Sequence, residues 1–322
     1  MKRLRVGVVG VGYLGKLHAR KYSEIKEAAL VGVADVDGKR AHEVASLYGV
    51  GAYASHMDLI GKVDAVSVVT PTESHCDVAL DFLSRGVDVL VEKPIAMNGE
   101  EAGRLIKEAE RMKRVLQVGH LERFNPAVIA LKGRVKDPVF IESRRLSPFP
   151  NRSIDIDVIL DLMIHDIDII LNLVASDVEA VDAVGFPVLT GMTDMASARI
   201  RFKNGCVAEV TASRVSDERM RRLKLFQEGS FLTVDFANQL VSETRARRGE
   251  GASGSLVTEE IPIEKKEPLL EELRSFVDSS LAGKPPLVSG SDGKRALEVA
   301  QRVQDSVRRK GSEASKAPKA AL

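Results

Sequence analysis

The chain has 322 residues, 44% of them hydrophobic, which is enough apolar material for two cores rather than one. Lys and Arg number 47 against 46 Asp and Glu, a formal charge of +1, so no global field holds nucleic acid or an anionic bilayer, and an anionic ligand must rely on local cations. The two cysteines, Cys76 and Cys206, exclude a disulfide framework and stand in no metal-ligand spacing, so no metal is expected. The apolar run ending at Gly10 is too short for a signal-peptide core, and no stretch reaches the length of a transmembrane helix, so the expected location is cytoplasmic.

From Leu4 to about Leu121, short β-branched runs alternate with amphipathic stretches of helical length, the pattern of parallel strands joined by right-handed crossovers. Strands are expected at Leu4 to Val9, Leu30 to Ala34, Ala65 to Val69, Val87 to Val91 and Val115 to Val118. Helices are expected near Leu14 to Ser23, Lys39 to Tyr48, Ser74 to Arg85 and Gly99 to Met112. The rhythm then changes. One long apolar helix from Ile156 to Ala175 is followed by strands from Val178 to about Ile263, with Asn204-Gly205 marking a hairpin, and by helices near Pro268 to Leu281 and Asp292 to Arg309. The fold class is α/β plus α+β: a Rossmann domain with a doubly wound parallel sheet over 1–122, an α+β domain with an open, mostly antiparallel sheet over 123–310, and an unstructured tail over 311–322.

The first strand ends in Gly10-Val11-Gly12-Tyr13-Leu14-Gly15, a glycine fingerprint. Gly10 allows a tight turn, Gly12 lets backbone approach a pyrophosphate, Gly15 lets helix pack closely on strand, and the phosphates sit at the helix N-terminus. Asp35 ends the second strand about 20 residues on, where an acidic residue accepts the ribose hydroxyls and repels a 2′-phosphate, which selects NAD over NADP. Asp35 could instead cap the following helix, and Arg40 could attract a phosphate.

On the long helix, Asp157, Asp161, His165, Asp168 and Asn172 recur at spacings of three and four, forming one polar stripe on an apolar segment. Such a stripe is either the wet face of the helix or the wall of a site. Lys93, after a strand and before Pro94, falls at the carboxyl edge of the sheet, where open α/β sheets bind ligands; a surface lysine with a strand-ending proline is the plainer reading. Arg144, Arg145 and Arg152 bracket Ser147-Pro148-Phe149-Pro150 as a basic loop. Of the other histidines, His18, His42 and His56 read as helix-surface or loop residues.

Thr70-Pro71-Thr72-Glu73-Ser74-His75, Glu92-Lys93-Pro94 and Asp161-Leu162-Met163-Ile164-His165, taken together, resemble the Gfo/Idh/MocA oxidoreductases, with Thr72 standing where that family often has Asn. The resemblance implies that Thr70, Pro71, His75, Glu92 and Lys93 join Gly10, Gly12, Tyr13, Leu14, Gly15 and Asp35 around NAD. It implies Lys93, His165 and Asp161 as the catalytic set, with His165 as base, Asp161 orienting it, and Lys93 bonding the reacting hydroxyl. Gly119-His120-Leu121-Glu122-Arg123-Phe124-Asn125-Pro126 and Asp161-Leu162-Met163-Ile164-His165-Asp166-Ile167-Asp168 are most similar to the branch that oxidises the 3-hydroxyl of UDP-N-acetylglucosamine ahead of an aminotransferase in lipid A synthesis. The expected substrate contacts are Arg123, Arg145, Arg152, Asp161 and His165, with the guanidiniums on the diphosphate. A dehydrogenase of an uncharged polyol and a non-catalytic NAD(H)-binding redox sensor are the competing readings. The second sheet is expected to pair copies of the chain into a dimer or tetramer.

Overall fold

In the computed structural model, which describes residues 3–149, 156–247 and 255–316, the apolar strand Leu4–Val9 (β1) lies in the middle of a six-stranded parallel sheet. Its companions are β2 (Ala28–Ala34), β3 (Gly51–Tyr53), β4 (Ala65–Val68), β5 (Asp88–Glu92) and β6 (Leu116–Gly119), in the order β3-β2-β1-β4-β5-β6. All pairings are parallel, so each connection crosses over. The crossovers carry α1 (Tyr13–Glu24), α2 (Gly38–Tyr48), α3 (Thr72–Leu83) and α4 (Gly99–Met112). Of the strands of this sheet, β3 alone was absent from the expected ones: at three residues its apolar signal is too short to read.

The chain divides into two compact units, residues 1–124 with 267–295, and residues 125–266 with 296–322. The sequence places 123–310 in one C-terminal domain; the structure instead returns α7 (Pro268–Ala282) to the first unit. Leu269, Leu273, Phe276 and Val277 recur at helical spacing and pack with Leu4, Val6, Tyr22 and Ile25 in the N-terminal core. A helical period shows that a face is buried and carries no information about which sheet buries it.

In the second unit, α5 (Pro126–Ile129) precedes β7 (Phe140–Leu146), a π-turn (Ile159–Met163) and α6 (Ile164–Leu173). The strands β8 (Val178–Phe186), β9 (Met195–Phe202), β10 (Val207–Ser213), β11 (Met220–Gln227), β12 (Ser230–Asp235), β13 (Leu240–Arg247) and β14 (Ser255–Ile261) follow. Their order is β14-β13-β12-β11-β7-β10-β9-β8, antiparallel throughout except for the parallel pair β7 and β10. Ile164, Ile167, Ile169, Ile170 and Leu171 of α6 pack with one face of this sheet and with Ala296, Val299, Ala300 and Val303 of α8 (Gly290–Lys316). The helix α8 runs into the segment expected to be unstructured, as far as Lys316. Among the described residues, no helix is long and apolar enough to cross a membrane.

A buried ion pair fastens the loop between β8 and β9. Arg214 and Asp194 are fully buried, with Nε of Arg214 donating to Asp194 at 2.8 Å. Burial alone would raise the Asp194 pKa, but the N–H groups of Thr190, Val188 and Leu189 and the Thr190 hydroxyl outweigh it and hold the carboxyl well below the usual range.

The packing of α7 gives a stability prediction. Phe276→Ala removes a fully buried ring from the core of the first unit and is expected to cost about 3–5 kcal/mol. Urea unfolding measures it; a loss below about 1 kcal/mol would show that α7 is not part of that core.

Candidate functional site

The loop from β1 to α1 is built from backbone. Gly10 has φ +83°, a conformation costly for other residues, and a Cβ on it would lie 2.6 Å from the Val69 carbonyl oxygen. A Cβ on Gly15 would lie 1.8 Å from the Gly10 carbonyl oxygen, so α1 can rest on the loop only without a side chain there. A Cβ on Gly12 would meet nothing within 4 Å. That open face at the start of α1 fits a pyrophosphate approaching backbone. Tyr13 is 70% exposed and Leu14 half-buried at the same helix end.

Asp35 is 7% exposed and faces this loop. Its Oδ2 accepts the Val11 N–H at 2.8 Å and its Oδ1 the Asp37 N–H at 2.9 Å, and Nη1 of Arg40 approaches both oxygens at 3.3 and 3.4 Å. The helix cap is Asp37, which accepts the N–H groups of Lys39 and Arg40, so the capping alternative for Asp35 falls away. Arg40 lies 3.3 Å from Asp35 and 3.5 Å from Asp37, where two carboxylates already match its charge. The residues present therefore fit a dinucleotide with a free 2′-hydroxyl.

The segments after β4 and β5 are joined through His75. Its ring nitrogens lie 2.8 Å from the carbonyl oxygens of Pro94 and Thr70, and the Ser74 hydroxyl donates to the Thr70 hydroxyl at 2.8 Å. Burial pushes the His75 pKa down, against the pull of the two carbonyls and of Glu92. Pro71 is exposed and Lys93 half-buried beside this brace. Glu92, expected at the cofactor, has partners inside the unit. It is 6% exposed, its Oε1 lies 3.1 Å from Nε2 of His18, and its Oε2 accepts the Lys93 N–H at 3.3 Å. His18, expected on a helix surface, is fully buried, and Glu272 joins the same cluster. The signal missed in the sequence is a carboxylate between Leu269 and Phe276, on the apolar face of α7.

In the second unit, the long expected helix is broken by the π-turn that carries Asp161, and α6 begins directly after it. A π-turn inside a helix shifts the side-chain register, and such turns gather at functional sites. Asp157 is not part of a stripe: it caps the N–H groups of Ile159 and Leu160 and accepts Nε2 of Gln304 at 2.6 Å. His165 is 8% exposed and Asp168 2%, whereas Asn172 is exposed, so the stripe does not form one wet face.

The basic loop is corrected as well. Arg144 and Arg145 belong to β7, whose period of two sends them to opposite faces of the sheet. Arg144 pairs with Glu142 at 2.6 Å on the exposed face. Arg145, 3% exposed, gives Nε to Asp166 at 2.7 Å and stacks over Phe236, so its charge is committed inside the unit rather than offered to a diphosphate. β7 escaped the sequence reading because Ser143 and Arg145 occupy its inward positions, which removes the apolar alternation. Arg123 is 7% exposed in the 121–124 turn, which packs on α7. Arg152 lies outside the described residues.

Comparison with known proteins agrees with this architecture. Residues 4–120 match the model of an oxidoreductase family with an NAD-binding Rossmann fold, and residues 131–231 match the GFO/IDH/MocA C-terminal domain. A UDP-N-acetylglucosamine 3-dehydrogenase from Acidithiobacillus ferrooxidans is 39% identical over 95% of this chain and 98% of that protein. Its solved structure has a TM-score of 0.90, covering 96% of this chain and 99% of that one. A myo-inositol 2-dehydrogenase from Thermotoga maritima is 29% identical over 96% of this chain and 98% of that protein. Levoglucosan dehydrogenase in complex with NADH and levoglucosan, 19% identical with a TM-score of 0.84 over 96% of this chain and 98% of that one, shares the fold. With its glycine loop, its Asp35 and both domains matched, the chain belongs to the Gfo/Idh/MocA family of NAD-binding oxidoreductases.

Proposed function

We propose that this chain oxidises the 3-hydroxyl of UDP-N-acetylglucosamine to the ketone. The observation that carries the substrate is the full-length likeness to the UDP-N-acetylglucosamine 3-dehydrogenase, closer than that to the inositol enzyme. The loop Gly10 to Gly15 and Asp35 hold the dinucleotide, Asp35 through the ribose hydroxyls. Bound there, NAD supplies the hydride acceptor for the carbon being oxidised. His165 takes the hydroxyl proton, Asp161 in the π-turn orients the imidazole, and the Lys93 ammonium holds the reacting oxygen while negative charge develops on it. Arg152 is the proposed contact for the diphosphate, since Arg145 is committed to Asp166.

The 3-keto product is the carbonyl partner an aminotransferase requires, and we place both enzymes in the cytoplasm. The outward face of the second sheet carries the adjoining rings of Phe140, Phe226 and Phe231, with centroids 5.9 and 5.3 Å apart. These half-buried rings support pairing of copies through that face. Sedimentation velocity is expected to give the mass of a dimer or tetramer; a monomer at micromolar concentration removes this assembly.

Asp35 leads to a cofactor prediction. Titration is expected to give tighter binding of NAD than of NADP, and Asp35→Ala is expected to weaken NAD and narrow the difference. Equal binding of both cofactors by the wild type would mean that a cation, with Arg40 nearest, controls the pocket.

Catalysis is tested by following NADH absorbance with NAD and UDP-N-acetylglucosamine, with an aminotransferase present to draw off an unstable ketone. Lys93→Met and His165→Asn are each expected to lower turnover roughly a hundredfold or more, with NAD binding kept in His165→Asn. Equal turnover of free N-acetylglucosamine or myo-inositol would replace the nucleotide-sugar reading with the polyol one. NAD binding without oxidation of any of these sugars would favour a redox sensor.

A further inference from the structure

His18, Glu92 and Glu272 come from α1, β5 and α7 of the first unit and meet in its interior. One nitrogen or carboxylate oxygen from each lies within 4.8 Å of the others. His18 and Glu272 have no exposure and Glu92 has 6%. Nε2 of His18 approaches Glu92 at 3.1 Å but off the line that a hydrogen bond needs, and both oxygens of Glu272 lack a donor, while Oε1 of Gln117 is also unpartnered. Nε2 of Gln117 donates to the backbone carbonyl of Glu272 at 3.2 Å, which places that amide beside the cluster. Gly119 leaves the room that Glu92 occupies, since a Cβ there would lie 2.7 Å from its carboxylate.

Two ionised carboxylates at this separation, cut off from water, would repel each other and lose their hydration with nothing in return. One proton between them removes the repulsion and supplies the missing donor. We propose that Glu272 is a neutral carboxylic acid in the folded protein, that it shares its proton with Glu92, and that with His18 it acts as a positioning residue for Glu92 and the adjoining Lys93. Glu272 is the holder because both of its oxygens lack a partner, whereas Glu92 already accepts the Lys93 N–H. Burial first, and then the charge of Glu92, push the Glu272 carboxyl well above its usual range.

The groups facing Glu272 are Glu92, His18, the Gln117 amide and Tyr22, whose phenol, buried and bonded to Ser67, is itself raised by burial and then by these two carboxylates. The 121–124 turn and β1 also pack on α7 and bring Glu122, Arg123 and Arg5; Arg5 is exposed and paired with Asp64 at 2.7 Å. Glu92 also pulls upward on His75, which links the cluster to the brace beside Lys93.

The sign of the pH effect follows. A carboxyl whose folded pKa is raised contributes stability that is complete below its unfolded pKa and is lost as pH rises towards the folded one. Across that window the unfolding constant of wild type is expected to grow relative to that of Glu272→Gln by up to about tenfold per pH unit, measured by urea unfolding of the cofactor-free protein from pH 5 to 9. A ratio constant over that range would overturn the proposal. So would a stoichiometric divalent cation in elemental analysis, because a cation there replaces the proton. The infrared spectrum of wild type at pH 7 supplies a readout independent of any variant: a protonated carboxyl band is expected, lost in Glu272→Gln, and its absence from wild type overturns the proposal. The positioning role rests on the proposed function of Lys93 and is read separately. Glu272→Gln, which keeps a donor, is expected to turn over within about threefold of wild type at pH 7, and Glu272→Leu to lose about tenfold or more in kcat with NAD binding retained. Equal turnover of the two variants removes the positioning role and leaves the shared proton standing.

Discussion

The closest constraint in the first unit is the approach of α1 to the end of β1, where the Gly10 carbonyl occupies the space a Cβ on Gly15 would need. That packing ends the strand in a turn with positive φ at Gly10 and leaves open space beside Gly12 at the start of α1. Asp35 is drawn into the same turn by the Val11 N–H, so its carboxylate braces the loop. The glycine loop and the core contact are one piece of backbone, and a larger residue at Gly15 would disturb both.

Charge is buried in both units, and it is neutralised differently in each. In the second unit Arg145 meets Asp166 and Arg214 meets Asp194, each a guanidinium and a carboxylate with further hydrogen bonds to complete the pair. Removing one partner would leave a buried charge uncompensated, which is far costlier than replacing both by apolar groups of the same shape. In the first unit His18, Glu92 and Glu272 bring two carboxylates together with only an imidazole beside them, so a proton is the simplest neutraliser. The arrangement lies directly behind Lys93, where a fixed backbone position matters most to the proposed chemistry.

The sequence by itself determined the parallel β/α alternation of the first 120 residues, the glycine turn, Asp35 and the family, because these depend on local period, on backbone sterics and on motifs that stay contiguous along the chain. It located β1 and α4 at their observed limits, since a short β-branched run and an amphipathic period are local signals. Only the tertiary structure decided which unit buries α7, that β7 is a central strand with Arg145 turned inward, and that the helix bearing Asp161 and His165 opens on a π-turn. Tertiary packing also brings Glu92 together with His18 and Glu272. In each of these cases the deciding partner is distant in the chain, and periodicity reports that a face is buried without naming what buries it.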